Sequence, residues 1–245
     1  MVANAVEHDY CVELCVRSMA LFCDEVVIGY SESTDGTIDL LRSIESELSN
    51  VRIVNENADF TVRNGGTEWM MTWMDNVRRH IKHQYQVQLD CDEIIADWSI
   101  PEIIQAAKDN RALWCNRINF WGRLDRVTPP GAFCGNKVPR CAPSQYSLPS
   151  DFPVSHERAP VLDVLESSTV DVLHYCTLRK PEAFWKKSKS FQTVLVDSYD
   201  TRIDEAMKLP THWSDYFTYP EPFLTFDRKH PEMCHAWLRE RGYNP

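Results

Sequence analysis

Apolar and polar positions change period several times along the chain, and each change marks an element. Val12, Cys15, Val16, Met19 and Cys23 recur at helical intervals, which predicts a helix from about His8 to Phe22. Asp24-Glu25 closes it. Val26-Val27-Ile28 then runs without a polar interruption, the pattern of a strand covered on both faces. The turn-forming loop Gly29 to Thr37 leads to a second helix carrying Leu41, Ile44 and Leu48, with Ser, Thr and Asp residues placed to cap it. Val51 to Val54 reads as the next strand.

The segment from Glu68 to His83 puts Met70, Trp73, Met74, Val77 and Ile81 on one stripe, the face that packs on a sheet. Tyr85, Val87 and Leu89 then alternate with Gln84, Gln86 and Gln88, a strand's period of two. That strand runs straight into Asp90, Asp92 and Glu93 around Cys91. Ser99-x-x-Glu102 has the form of a capping box for a helix reaching Asn110. Leu113 to Trp121 predicts another strand, and prolines break every long element between Thr128 and Pro160. Val170 to Cys176 predicts a strand ending on His174-Tyr175. Pro181 to Val196 predicts a helix whose Lys186, Lys187 and Lys189 form a solvated face. A last helix runs from Pro231 to Arg241, stopped by Gly242.

Strand–helix–strand alternation of this kind implies right-handed crossovers and an α/β fold: an open, mostly parallel sheet flanked by helices. The 245 residues suit one such domain over 1–195, with a C-terminal extension, 196–245, packed on it. Hydrophobic residues at 43% are enough for a sizeable core. The net charge of −10 and pI near 5.3 argue against nucleic acid or an anionic membrane as the main partner. No apolar run has the length of a transmembrane span. Nine cysteines without a C-x-x-C pair predict free, mostly buried thiols in a reducing compartment, hence a cytoplasmic protein.

In an open parallel sheet, ligands sit beyond the carboxyl ends of the strands. Asn4 to Glu7, Tyr30 to Asp35 and Asp90 to Glu93 fall at such ends and are expected to line one crevice. Carboxylates bunched at a strand end need compensation from water, a cation or partner donors. A divalent ion carrying phosphate oxygens is one such occupant; a solvated acidic turn is the other reading.

These segments resemble the family 2 glycosyltransferases of the GT-A, Rossmann-like fold. Met1-Val-Ala-Asn4-Ala-Val-Glu7 is similar to that family's M-V-K-N-E-x-E opening. Asp24-Glu25-Val-Val-Ile-Gly-Tyr30-Ser-Glu-Ser33-Thr34-Asp35-Gly36-Thr37 resembles D-E-I-V-V-V-D-S-G-S-T-D-G-T, and Asp90-Cys-Asp92-Glu93 resembles D-x-D-E. Val154-Ser-His156-Glu157-Arg158, followed by His174-Tyr175 before a Lys-rich helix, is similar to the branch containing lipopolysaccharide-core glucosyltransferases.

The resemblance implies an inverting, metal-dependent transfer from a nucleotide-sugar donor, a UDP-sugar, to a hydroxyl of a carbohydrate or glycoconjugate acceptor. It puts Asn4 and Glu7 at the nucleotide end of the crevice, with Tyr30 and Asp35 beside them. Asp90 would contact the ribose or the metal's water shell, and Asp92 would ligate Mn²⁺ or Mg²⁺ on the diphosphate. His174 would be a further ligand or a phosphate contact. Glu157, beside His156, would be the general base, with Asp151 next in line. Arg140 and Lys137 are cations that can grip phosphate. Tyr30 departs from the family pattern: it offers a ring to stack on the base where the family has a carboxylate. Two other readings share the plan. A sugar-nucleotide-forming nucleotidyltransferase would carry a Gly-rich loop after its first strand, and Asn4 to Asp9 holds no Gly. A non-catalytic nucleotide- or sugar-binding descendant is favoured by Tyr30 and opposed by Asp92, Glu157 and His174.

Overall fold

The helical stripe beginning at Val12 becomes α1 (Val12–Ala20), which is covered on three sides rather than one. Val12 and Val16 enter a cluster with Val26, Ile28, Leu41 and Ile44. Cys15 joins Leu89, Ile95, Ile103 and Leu113, while Cys11 and Leu14 meet Ile94, Tyr175, Cys234 and Leu238. Fully burying a Val or Leu side chain contributes about 1.5–3 kcal/mol, so this short helix joins the main hydrophobic clusters. The computed structural model of the chain describes residues 2–57, 68–129, 136–148, 159–160, 164–195 and 222–245.

On one side of α1, β1 (Val26–Tyr30) and β2 (Val51–Asn55) pair in parallel, joined by α2 (Thr37–Glu47). Val2 extends this sheet by a parallel bridge to Tyr30, its N–H donating to the Gly29 carbonyl at 2.7 Å. α3 (Glu68–Arg78) lies against β1, and a Cβ on Gly29 would overlap the Val77 methyls. Gly29→Ala is therefore expected to lower stability by about 1–3 kcal/mol through overpacking. Val77→Ala in the same chain should recover part of that loss. A urea titration in which Gly29→Ala alone unfolds like the parent would show that Val77 gives way freely.

The other sheet has five strands in the order β3 (Tyr85–Val87), β7 (Lys137–Pro143), β5 (Ala112–Asn119), β10 (Leu165–His174) and β4 (Glu93–Ile95). β5 and β10 run parallel; the three other pairings are antiparallel. The class is α/β as expected, with strand directions mixed rather than mostly parallel. Alternating burial along β5, where Leu113, Cys115, Arg117 and Asn119 turn inward, suits a strand with an antiparallel neighbour. Two small pairings complete the description: β6 (Arg126–Val127) with β11 (Leu224–Thr225), and β8 (Tyr146–Ser147) with β9 (Ala159–Pro160). A cavity of about 460 Å³ is lined by Val2, Cys15, Val26, Met74, Val77 and Leu89 among others.

Two local expectations resolve differently. Ser99 and Glu102 do not form a capping box on α4 (Ile100–Lys108), which starts with Pro101 in its first turn after a 3₁₀ turn at Asp97–Ser99. The Ser99 hydroxyl instead accepts the Asp171 N–H at 2.8 Å, and Glu102 accepts the Thr169 N–H at 3.2 Å and its hydroxyl. Both side chains tie the helix start to β10. The last helix is a 3₁₀ turn, Glu232–Cys234, followed by α6 (His235–Glu240), with Gly242 left-handed at φ 81°. Its segment packs on the ends of β10 and α1 through Cys234 and Leu238, through Tyr175 Oη with His230 Nδ1 at 2.7 Å, and through Arg241 Nε donating to Asp9 Oδ2 at 2.9 Å. The eight cysteines among the described residues are free, six of them buried. No described helix is long and apolar enough to cross a membrane.

Candidate functional site

The site is built where β4 lies beside β10. In that register Glu93 is opposite His174, and the Tyr175 N–H donates to the Asp92 carbonyl at 2.9 Å. Asp90 to Glu93 closes a turn through the Glu93 N–H to the Asp90 carbonyl at 3.0 Å. Glu93 returns the bond, its carboxylate accepting the Asp90 N–H at 3.0 Å.

This turn splits the acidic cluster into two electrostatic halves. Glu93 opens β4 and is fully buried. Arg140 on β7, with no side-chain exposure, donates Nη2 to Glu93 Oε1 and to Asp90 Oδ2, both at 2.7 Å. Arg117 on β5 adds a contact to Glu93 at 3.4 Å. The expectation that Arg140 grips phosphate is therefore corrected: it has no surface to offer a ligand and serves as the buried counter-ion of two carboxylates. Burial alone would raise the Asp90 carboxyl; Arg140 reverses that and holds it below its ordinary value. Lys137, the other cation considered, is exposed and donates to Asn116.

Asp92 faces the other way, into a group of cations. Arg179 Nη2 donates to Asp92 Oδ2 at 2.8 Å, Lys187 Nζ reaches the same oxygen at 3.4 Å, and His174 Nε2 lies 3.6 Å from Oδ1. Burial would raise this carboxyl, but Lys187, His174 and Arg179 hold it well below the usual carboxylate range. Arg179 also donates to the carbonyls of Cys176 at 2.6 Å and His8 at 2.9 Å. Its guanidinium sits 4.4 Å over the Tyr10 ring, and Lys187 Nζ sits 5.4 Å from the same ring.

The N-terminal loop joins this group to the end of β1. Asp35 accepts the Glu7 N–H at 2.7 Å, the Thr37 N–H at 3.1 Å and the Thr37 hydroxyl at 2.6 Å. Thr37 in turn accepts the Ala5 N–H at 2.7 Å. Asn4 takes a left-handed conformation, φ 49°, and its carbonyl accepts the His8 N–H at 3.0 Å. Glu7 is exposed and meets Lys186 at 3.3 Å. Tyr30 belongs to the core and is 7% exposed; its hydroxyl accepts the Ser33 N–H at 3.0 Å. It has little ring surface left to stack on a base, which corrects that expectation. His156, Glu157 and Asp151 lie outside the described residues.

One continuous run of contacts therefore links Asp35, Glu7, His8, Arg179, Asp92, His174 and Lys187. Arg179, Lys187, His8 and Tyr10 are absent from the sequence-based candidates. For Lys187 a signal existed. On α5 (Pro181–Leu195) it follows the buried Ala183 and Phe184 by four and three residues, so it shares their face, while Lys186 and Lys189 point outward. Lys187 is not part of a solvated face. Nothing in the sequence pattern singles out Arg179.

Mn²⁺ or Mg²⁺ at Asp92 needs lone pairs directed at it. Asp92 Oδ2 already faces two cations. His174 Nδ1 lies 2.7 Å from Asn119 Oδ1. Burial would lower the imidazole's pKa, but Cys176 and Asp92 together raise it to about 10. Nδ1 is engaged with Asn119, and Nε2 faces Asp92 Oδ1 at 3.6 Å rather than the oxygen that meets the two cations. Among the described residues no three His, Cys, Asp or Glu side chains are grouped to hold an ion. This donor set does not fit the metal that the family resemblance implies.

The raised His174 value has a consequence for stability. Its contribution is fully present below the unfolded value of about 6.5 and is lost as pH rises through about 10. Burial would raise the Cys176 thiol, but His174 holds it below its ordinary value, which works in the opposite direction. Only the part of the shift owed to Asp92 should therefore appear as a fall in the urea midpoint between pH 7 and 10, and His174→Asn should flatten it. Parallel pH profiles for parent and variant would show that Asp92 adds nothing to the charge on His174.

The class these observations define is a mixed α/β domain with a curled five-stranded central sheet and flanking helices. No family model matches the chain, and no curated protein does. Among solved structures it is similar to S. aureus TarS. Residues 1–349 of that protein match at 10% identity with a TM-score of 0.43, over 82% of this chain and 66% of that one. The same fragment in complex with UDP matches at 12% and 0.45, and in complex with UDP-GlcNAc at 12% and 0.44, each over 84% of this chain and 68% of that one. The chain spans 41% of the longer TarS structure.

Proposed function

We propose that the chain is an inverting glycosyltransferase that moves a sugar from a nucleotide-sugar donor, a UDP-sugar in the first instance, to a hydroxyl of a carbohydrate or glycoconjugate acceptor. The observation that carries this reading is the meeting of the strand-end segments: Glu7 is bound to Asp35, His8 to Arg179 and Arg179 to Asp92. The segments so joined are those whose order along the chain resembles the family 2 glycosyltransferases. Such a transfer needs positive charge where the diphosphate leaves and a base where the acceptor hydroxyl attacks. The cations on Asp92 suit the first. Glu157 is the residue proposed for the second.

Thermal-shift measurements against a panel of UDP-, GDP-, dTDP- and CMP-sugars, with Mn²⁺ and with EDTA, test the reading. UDP-GlcNAc, the ligand with which TarS was solved, belongs in that panel. A sugar nucleotide at a hundred times its Kd should add about 2.7 kcal/mol to stability. A panel in which no sugar nucleotide raises the melting temperature under either condition would sink it.

A further inference from the structure

We propose that Lys187, backed by Arg179, supplies the positive charge that meets the donor's diphosphate, in the place where the resembling motif would put a divalent cation. The inference rests on the nucleotide-sugar reading and deepens it. It begins from a charge count at Asp92. Arg179 alone, at 2.8 Å, neutralises that carboxylate. Lys187, at 3.4 Å from the same oxygen, leaves this group of side chains with one positive charge in excess. An excess cation in a largely buried group is costly unless an anion meets it.

The two cations are placed for different work. Arg179 is 1% exposed, and its N–H groups are directed at the Cys176 carbonyl, the His8 carbonyl and Asp92. It fixes the carboxylate and the N-terminal loop. Lys187 is 25% exposed and presents a compact ammonium with three donors on a flexible stem. One donor is directed at Asp92, and the negative face of Tyr10 lies 5.4 Å below the charge. The remaining donors are available to phosphate oxygens. Asp92 would then act as the buried anchor that holds Lys187 in position, rather than as a metal ligand. The acidic motif keeps its place in the chain and changes its chemistry.

Isothermal titration calorimetry with inorganic pyrophosphate and with UDP, in EDTA and then in Mn²⁺, decides this. The full chain is expected to bind both probes in EDTA. Lys187→Gln should weaken each by at least about tenfold, and Lys187→Arg should restore much of the loss because the charge is kept. Folding of Lys187→Gln is expected to survive, since Asp92 keeps Arg179; its melting curve checks that. Binding of either probe by the parent only when Mn²⁺ is present would overturn the inference and leave the glycosyltransferase reading standing. Unchanged affinity in Lys187→Gln would overturn it as well. Pyrophosphate bound in EDTA and lost in Lys187→Gln, with no nucleotide or sugar nucleotide bound under any condition, would keep the anion site and remove the donor reading.

Discussion

Arg140→Met is expected to cost about 3–5 kcal/mol of folding stability, because it strips a buried carboxylate pair of its main counter-ion. Arg140 and Glu93 have no exposure, and one guanidinium nitrogen serves Glu93 and Asp90 together at 2.7 Å. After the substitution, among the described residues, Glu93 keeps Arg117 at 3.4 Å, and Asp90 stays beside Asp92 without Arg140's hydrogen bond. Arg140→Lys should recover only part, since a single ammonium cannot reproduce the geometry of a planar fork. Asp90→Asn makes the contrast. Its side chain is 35% exposed and Arg140 keeps Glu93, so about 1 kcal/mol or less should be lost. Urea unfolding of the three variants measures all of this. A loss below about 1 kcal/mol for Arg140→Met would mean that water reaches Glu93 and that the pair is not a buried one.

The same arrangement shows which features the sequence carries and which it hides. α1, β1, α2, β2 and α5 are legible because their patterns are local: apolar residues three and four apart, or an unbroken β-branched run. Each begins or ends within a few residues of its expectation. The compensation of the acidic cluster is not local. Arg140 lies 47 residues from Glu93, and Arg179 and Lys187 lie 87 and 95 residues from Asp92. No spacing rule links residues that far apart. Bunched carboxylates must be compensated, but local spacing does not distinguish an ion from the chain's own distant cations. Lys187 shows a second limit: its helical position put it on the inner face, and its residue type argued for the outer one. Tyr30 shows a third, since a tyrosine at a strand end reads equally as a ring for a ligand or as core with its hydroxyl tied to a neighbouring loop. Ser99 and Glu102 match a capping box in spacing, yet β10 offers them better partners. Strand direction in the five-stranded sheet depends on β7 and β10, whose neighbours are set by distant chain.

Glu157→Gln is expected to lower turnover by about 10²–10⁴-fold while leaving donor affinity unchanged. An inverting displacement at the anomeric carbon needs one base on the acceptor side, and most described carboxylates of the three strand-end segments are committed elsewhere. Asp35 holds Glu7 and Thr37; Asp92 holds Arg179 and Lys187; Asp90 and Glu93 hold Arg140. Asp9 accepts the Lys180 N–H at 2.8 Å and pairs with Arg241. A carboxylate fixed by a cation is a weak base, because the pairing favours its charged form. Glu32 is exposed, and Glu7 is the remaining described carboxylate of the N-terminal loop, its contact with Lys186 at 3.3 Å being solvent-exposed on both sides. Glu7→Gln is therefore the informative partner experiment. If Glu157 is the base, Glu7→Gln should change turnover by less than about tenfold, and its effect should fall on donor affinity at the nucleotide end. Single-turnover rates with saturating donor separate the two, because binding then drops out of the comparison. A Glu157→Gln enzyme with near-parental single-turnover rate, beside a Glu7→Gln enzyme slowed by 10²-fold or more, would move the base to the N-terminal loop. That outcome would place acceptor activation beside Lys186, the neighbour of Lys187 on α5.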